Sequence, residues 1–118
     1  MDGRFLIYEG FETDVPEIFN NVILKYNFKI QYVSDCGVKL ENSKVVLDIS
    51  YETGLILWIT DKLMNVQTMV NDIVSDKGIK IKEEFYAICN SIFTIDRKGT
   101  MINLSVFLLT HLTDELSD

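Results

Sequence analysis

Apolar residues recur along this chain with two different periods, and the switches between them mark out the elements. Val15, Ile18, Phe19, Val22, Ile23 and Tyr26 fall three or four residues apart, which predicts a helix from Val15 to Tyr26 with one apolar face. Asp14 and Glu17 are spaced as a capping box at its start, and Pro16 fits a first turn, where a missing N–H has no helical partner. From Phe28 the period becomes two. Phe28, Ile30 and Tyr32 alternate with Lys29, Gln31 and Val33, and Ser34 to Gly37 reads as a turn.

A short strand from Val38 to Glu41 follows, and Asn42-Ser43 leads into the clearest strand of the chain, Lys44 to Tyr51. Val45, Leu47, Ile49 and Tyr51 share one face of it, while Val46, Asp48 and Ser50 share the other. After the turn Glu52-Thr53-Gly54, Leu55, Leu57 and Ile59 continue the buried face, and Ile56, Trp58 and Thr60 lie opposite. Val66, Met69, Val70, Ile73 and Val74 return to helical spacing and predict a helix from Asn65 to Ser75. Residues 79 to 95 fit a short helix or an extended segment equally. Met101 to Leu116 reads as a final helix whose stripe, widened by Ile102, Val106 and Leu109, predicts deep burial. The pattern as a whole predicts an α+β fold: an antiparallel meander of three to four strands, with an N-terminal helix and C-terminal helices packed on one face.

One proline and six scattered glycines leave no linker composition, so residues 1–118 are expected to form a single domain. The chain has 18 acidic and 11 basic residues, a net charge of −7 with the acids spread from Asp2 to Asp118. Its densest basic stretch, Lys77, Lys80 and Lys82, runs straight into Glu83 and Glu84, which argues against the phosphate contacts of a nucleic-acid binder. A basic protein partner suits the field, and plain solubility would explain it as well. No stretch reaches the ~20 apolar residues of a membrane helix and no leader is legible, so the expected location is the cytoplasm, away from any membrane.

Catalytic and metal-binding patterns are sparse. Cys36 and Cys89 lie outside any C-x-x-C spacing, and no two glycines stand two residues apart, as a dinucleotide or phosphate loop requires. His111, the sole histidine, sits among apolar helix positions and reads as packed or surface rather than catalytic. No metal, cofactor or catalytic residue is therefore expected. The candidate partner-binding residues are Asp48, Glu52 and Trp58: an aromatic anchor beside carboxylates on the polar sheet face and its turn. A half-buried sheet whose polar face simply meets water accounts for the same pattern.

The helix Pro16 to Tyr26, its exit Lys-Tyr-Asn-Phe-Lys-Ile and the hairpin Lys44 to Ile59 together resemble small immunity proteins of bacterial polymorphic-toxin and contact-dependent inhibition systems. The likeness covers about residues 15 to 61 and, more faintly, the helix after Gly99. It departs at Asn27, where that group usually has glycine. It implies an α+β fold and a protein that neutralises a toxin by binding it, and it carries over no individual site residue. Two other readings stay open: a small-molecule-binding domain or small enzyme with a pocket between helix and sheet, and a structural or assembly subunit.

Overall fold

The computed structural model describes residues 8–51, 54–93 and 96–118. The fold is α+β. Two short helices, α1 (Phe11–Ile18) and α2 (Asn20–Lys25), precede five strands, β1 (Lys29–Val33), β2 (Gly37–Glu41), β3 (Val45–Tyr51), β4 (Leu55–Asp61) and β5 (Val66–Met69). The chain closes with α3 (Val70–Asp76), α4 (Ile79–Asn90), a 3-10 turn (Ser91–Phe93), α5 (Arg97–His111) and α6 (Thr113–Leu116). The strands lie side by side in chain order, every neighbouring pair antiparallel.

The first helical run begins earlier than its apolar spacing predicts. Gly10, at φ 86°, turns the chain into α1, a left-handed conformation that costs glycine little. Asp14 therefore lies inside the helix rather than at its cap, and its carboxylate accepts from the Tyr8 hydroxyl at 3.1 Å. Pro16 also lies within α1, and the run is interrupted at Phe19 before α2. Asn27 ends it in a left-handed conformation, φ 57°, with Phe28 N–H donating to the Ile23 carbonyl and Asn27 N–H to that of Leu24. Paired bonds of this kind usually surround a glycine, and asparagine is the next best residue at that position.

The sheet has five strands rather than three to four, because the segment expected to be helical from Asn65 splits. Asp61 Oδ1 accepts from the N–H groups of Leu63 and Met64 at 2.9 and 3.0 Å, and Asn65 takes a positive φ, so the chain reverses tightly. Val66 to Met69 then pair with β4, and the helix starts only at Val70. Spacings of three and four among Val66, Met69 and Val70 fit a helix, but β-branched Val66 and Thr68 beside a free sheet edge pair instead.

The helices pack on one face of the sheet. There Val38, Leu40, Val45, Leu47, Ile49, Leu57 and Ile59 join Phe19, Val22, Phe85, Met101, Leu104 and Leu108 in one buried cluster. Ile18, Ile23 and Leu55 are only half-buried at its rim. Ambiguous residues 79–93 form α4 and the 3-10 turn, with Phe85 and Ile92 in the core. α5 is capped by Asp96, whose Oδ1 accepts from Gly99 N–H at 2.8 Å; a Cβ on Gly99 would collide with the same carboxylate. The expected depth of α5 is corrected on one side: Ile102 and Val106 are 45% and 55% exposed, because the layer is one helix thick and their flank meets solvent.

Asn42 joins the layers. Its Oδ1 accepts from Lys44 and Val45 N–H, and its Nδ2 donates to the Tyr26 and Leu116 carbonyls at 2.8 and 2.9 Å. The buried amide thus uses both its donors, as burial demands.

Candidate functional site

The face of the sheet turned away from the helices is built by strand register. Tyr32 pairs with Lys39, Lys39 with Asp48, Asp48 with Trp58, and Trp58 with Met69, so one row of side chains crosses all five strands. A parallel row runs through Lys29, Glu41, Val46, Thr60 and Gln67. None of these positions is buried, whereas the inner-face residues of β2 and β3 between them are.

Asp48 and Trp58 are thus brought together as a cross-strand pair. Directly opposed Cβ atoms on one face are ~4.5–5.5 Å apart, close enough for a partner group to meet both side chains. Glu52, the third residue picked from the sequence, lies outside the described residues. Periodicity missed the two ends of the row. A bulge between Ile30 and Tyr32 leaves Gln31 without an opposite residue and turns Tyr32 to the outer face, where it is 59% exposed; strict alternation puts it beside Ile30. Met69 arrives with the unexpected fifth strand. Lys39 was legible, since it alternates with the buried Val38 and Leu40.

The electrostatics of this face are specific. Lys39 Nζ lies 3.8 Å from Asp48 Oδ1, with side chains 48% and 28% exposed. Burial raises the Asp48 carboxyl above its ordinary value, and the Lys39 charge lowers it only in part. Asp48 is therefore a partly desolvated carboxylate that, among the described residues, has one ion-pair partner, and that at the long end of the range. Glu41 has a nearer one, Lys62 Nζ at 3.5 Å. Each of these acids has a lysine partner, so the net charge of −7 is not concentrated on this face. From Glu9 to Glu17, by contrast, the sequence carries four acids and no base.

A cavity of about 270 Å³ opens next to Asp48, lined by Tyr32, Ser34, Cys36, Lys39 and Ser50 among others. Ser34 and Cys36 hold the β1–β2 turn at its rim, where Ser34 Oγ accepts from Cys36 N–H at 3.3 Å and Ser34 N–H donates to the Gly37 carbonyl. Two hydroxyls, a phenol and a carboxylate with one loosely held lysine suit a cationic group presented from outside.

The other polar groups singled out from the sequence lie elsewhere. His111 packs on Phe107 at a 51° tilt, with 4.8 Å between ring centroids, and its Nε2 lies 3.2 Å from a Glu84 carboxylate oxygen. Cys89 is on the helical side, where burial pushes its thiol up to about 12. Among the described residues no group of three or more His, Cys, Asp or Glu is placed to hold a metal ion, and no helix is long and apolar enough to cross a membrane. Compared with family models, curated proteins and solved structures, the chain finds no match.

Proposed function

We propose that this chain is a non-catalytic binding protein that docks a basic protein domain against the outer face of its sheet. A toxin domain neutralised by that contact is the partner to which the resemblance points. The observation that carries this reading is the row Tyr32, Lys39, Asp48, Trp58 and Met69, which sets two aromatic rings and a thioether around an under-neutralised carboxylate. Large, stiff aromatic side chains contribute most of the energy of many interfaces because they bury area at small entropic cost. A partner's lysine or arginine reaching Asp48 supplies the charge that Lys39 gives only in part, and water excluded by Trp58 and Tyr32 strengthens that pair. The acidic chain as a whole steers a basic partner toward the encounter.

Binding kinetics against the product of a toxin reading frame adjoining this one test the proposal. Trp58→Ala is expected to speed dissociation, while Asp48→Lys both slows association, with a flatter dependence on salt, and speeds dissociation, long-range charge being screened over ~8 Å at physiological ionic strength. Co-expression should relieve the growth arrest that the toxin causes, and the Trp58→Ala variant should relieve it less. Unchanged kinetics in both variants would move the interface off the sheet.

A further inference from the structure

At the β5 edge the inner side of the sheet is less completely covered: Val45 and Ile59 are buried, but Val66 is 52% exposed. A groove of about 450 Å³ lies between β5 with the β4–β5 turn on one side and α3 and α6 on the other. Its floor and walls are apolar: Val45, Ile59, Met64, Val66 and Ile73. Beside it the turn carries Leu63, Met64 and Val66 at 90%, 68% and 52% exposed. Such a cluster on a surface turn is costly in water and marks a contact site more often than chance. The turn is also preorganised, since the Asp61 carboxylate holds the Leu63 and Met64 N–H groups and Lys62 N–H donates to the Lys44 carbonyl at 3.0 Å. Little conformational entropy remains to be lost when it is covered.

The rim decides what covers it. Asp61, Asp114 and Glu115 line the groove with Lys44 as the one lysine among them. Lys77 takes up Glu115 at 2.9 Å, and Lys44 donates to the Asp114 backbone carbonyl, so among the described residues no hydrogen bond or ion pair engages the exposed Asp114 carboxylate. A knob, Leu63, beside a hole is a shape that two copies of one chain can share about a two-fold axis. Such a pairing, however, would bring two acidic rims together between molecules each carrying −7.

We infer that this groove is a second docking site, for a cationic peptide segment of a partner protein that inserts one large apolar side chain flanked by lysine or arginine. The apolar residue sits between Met64, Val66 and Ile73, the flanking cation meets Asp114, and Leu63 closes over the segment. The site lies on the opposite face from the Asp48–Trp58 pair and stands or falls independently of the outer-face reading.

The probe is a labelled peptide with one phenylalanine between lysines, titrated into the full chain and followed both by fluorescence polarisation and by backbone amide shifts. The expected result is saturable binding, with shifts centred on Val66, Thr68 and Ile73. Replacing its lysines by glutamate, or its phenylalanine by alanine, should weaken binding about tenfold, the effect of ~1.4 kcal/mol. Asp114→Lys and Met64→Ala should each weaken the lysine peptide with the circular dichroism spectrum unchanged, while Trp58→Ala leaves it as tight as before. Shifts elsewhere, or equal binding of the glutamate peptide, overturn the inference. A concentration-dependent dimer in sedimentation velocity, abolished by Leu63→Asp, would equally overturn it by making the occupant a second copy.

Discussion

Asp48 stands directly opposite Trp58 in the register of β3 and β4, on the face of the sheet that the helices leave uncovered. Burial raises the Asp48 carboxyl, with Lys39 opposing the shift only in part. A carboxyl whose folded-state pKa is raised favours the folded state below its unfolded value, and that advantage is lost as pH rises through the folded value. At neutral pH the ionised side chain therefore works against folding. Asp48→Asn is expected to hold or raise the urea midpoint at pH 7, and the difference should vanish well below pH ~4, where both side chains are neutral. The same variant should weaken partner binding. A clear loss of stability at pH 7 would instead make the pair with Lys39 structural.

Cys36 and Cys89 report on opposite sides of the molecule. Cys36 is among the residues lining the cavity beside Asp48, whereas the Cys89 thiol is raised to about 12 by burial and is scarcely ionised at pH 8. Alkylation at pH 8 followed by peptide mass mapping should modify Cys36 first. A partner seated on the outer face should slow that reaction and leave Cys89 unchanged. Faster labelling of Cys89 would show that the helical layer opens readily.

Leu47 and Phe19 are fully buried against each other's layers. Leu47→Ala and Phe19→Ala should each cost ~2–5 kcal/mol, through lost transfer energy and the cavity left behind. Lys80→Ala, at an exposed position of α4, should cost well under ~1 kcal/mol. Chemical denaturation with a constant m-value would establish the contrast, and similar losses at all three sites would contradict the assigned core.

Asp118 ties the end of the chain to the sheet. Its carboxylate accepts from the backbone N–H and hydroxyl of Ser43 and, at 2.9 Å, from the Asn27 amide, and these bonds hold its pKa below the usual carboxylate value. The lowered pKa means that its contribution is present above the unfolded value and is lost as pH falls through the folded one. Asp118→Asn should therefore be less stable than the parent at pH 7, with the gap closing in acid. A gap independent of pH would show that the charge itself contributes nothing.

The α+β class, the β3–β4 hairpin with its inner and outer faces, and the placing of Asp48 and Trp58 on one surface were all legible in the sequence. The class follows from stretches of helical spacing alternating with stretches of period two, and the hairpin and its faces from the period of two alone, which only one pleat can bury. What tertiary structure alone decided was the two ends of the row. The bulge that turns Tyr32 outward shifts register by one residue against β2, and the fifth strand that carries Met69 exists because β4 offers an unpaired edge to a segment whose spacing also suits a helix. Likewise the groove beneath the β4–β5 turn depends on residues far apart in the chain. Local periodicity records which side of a strand or helix is apolar; which edges pair, and which flanks stay open, depends on long-range contacts whose energy no short stretch of sequence contains.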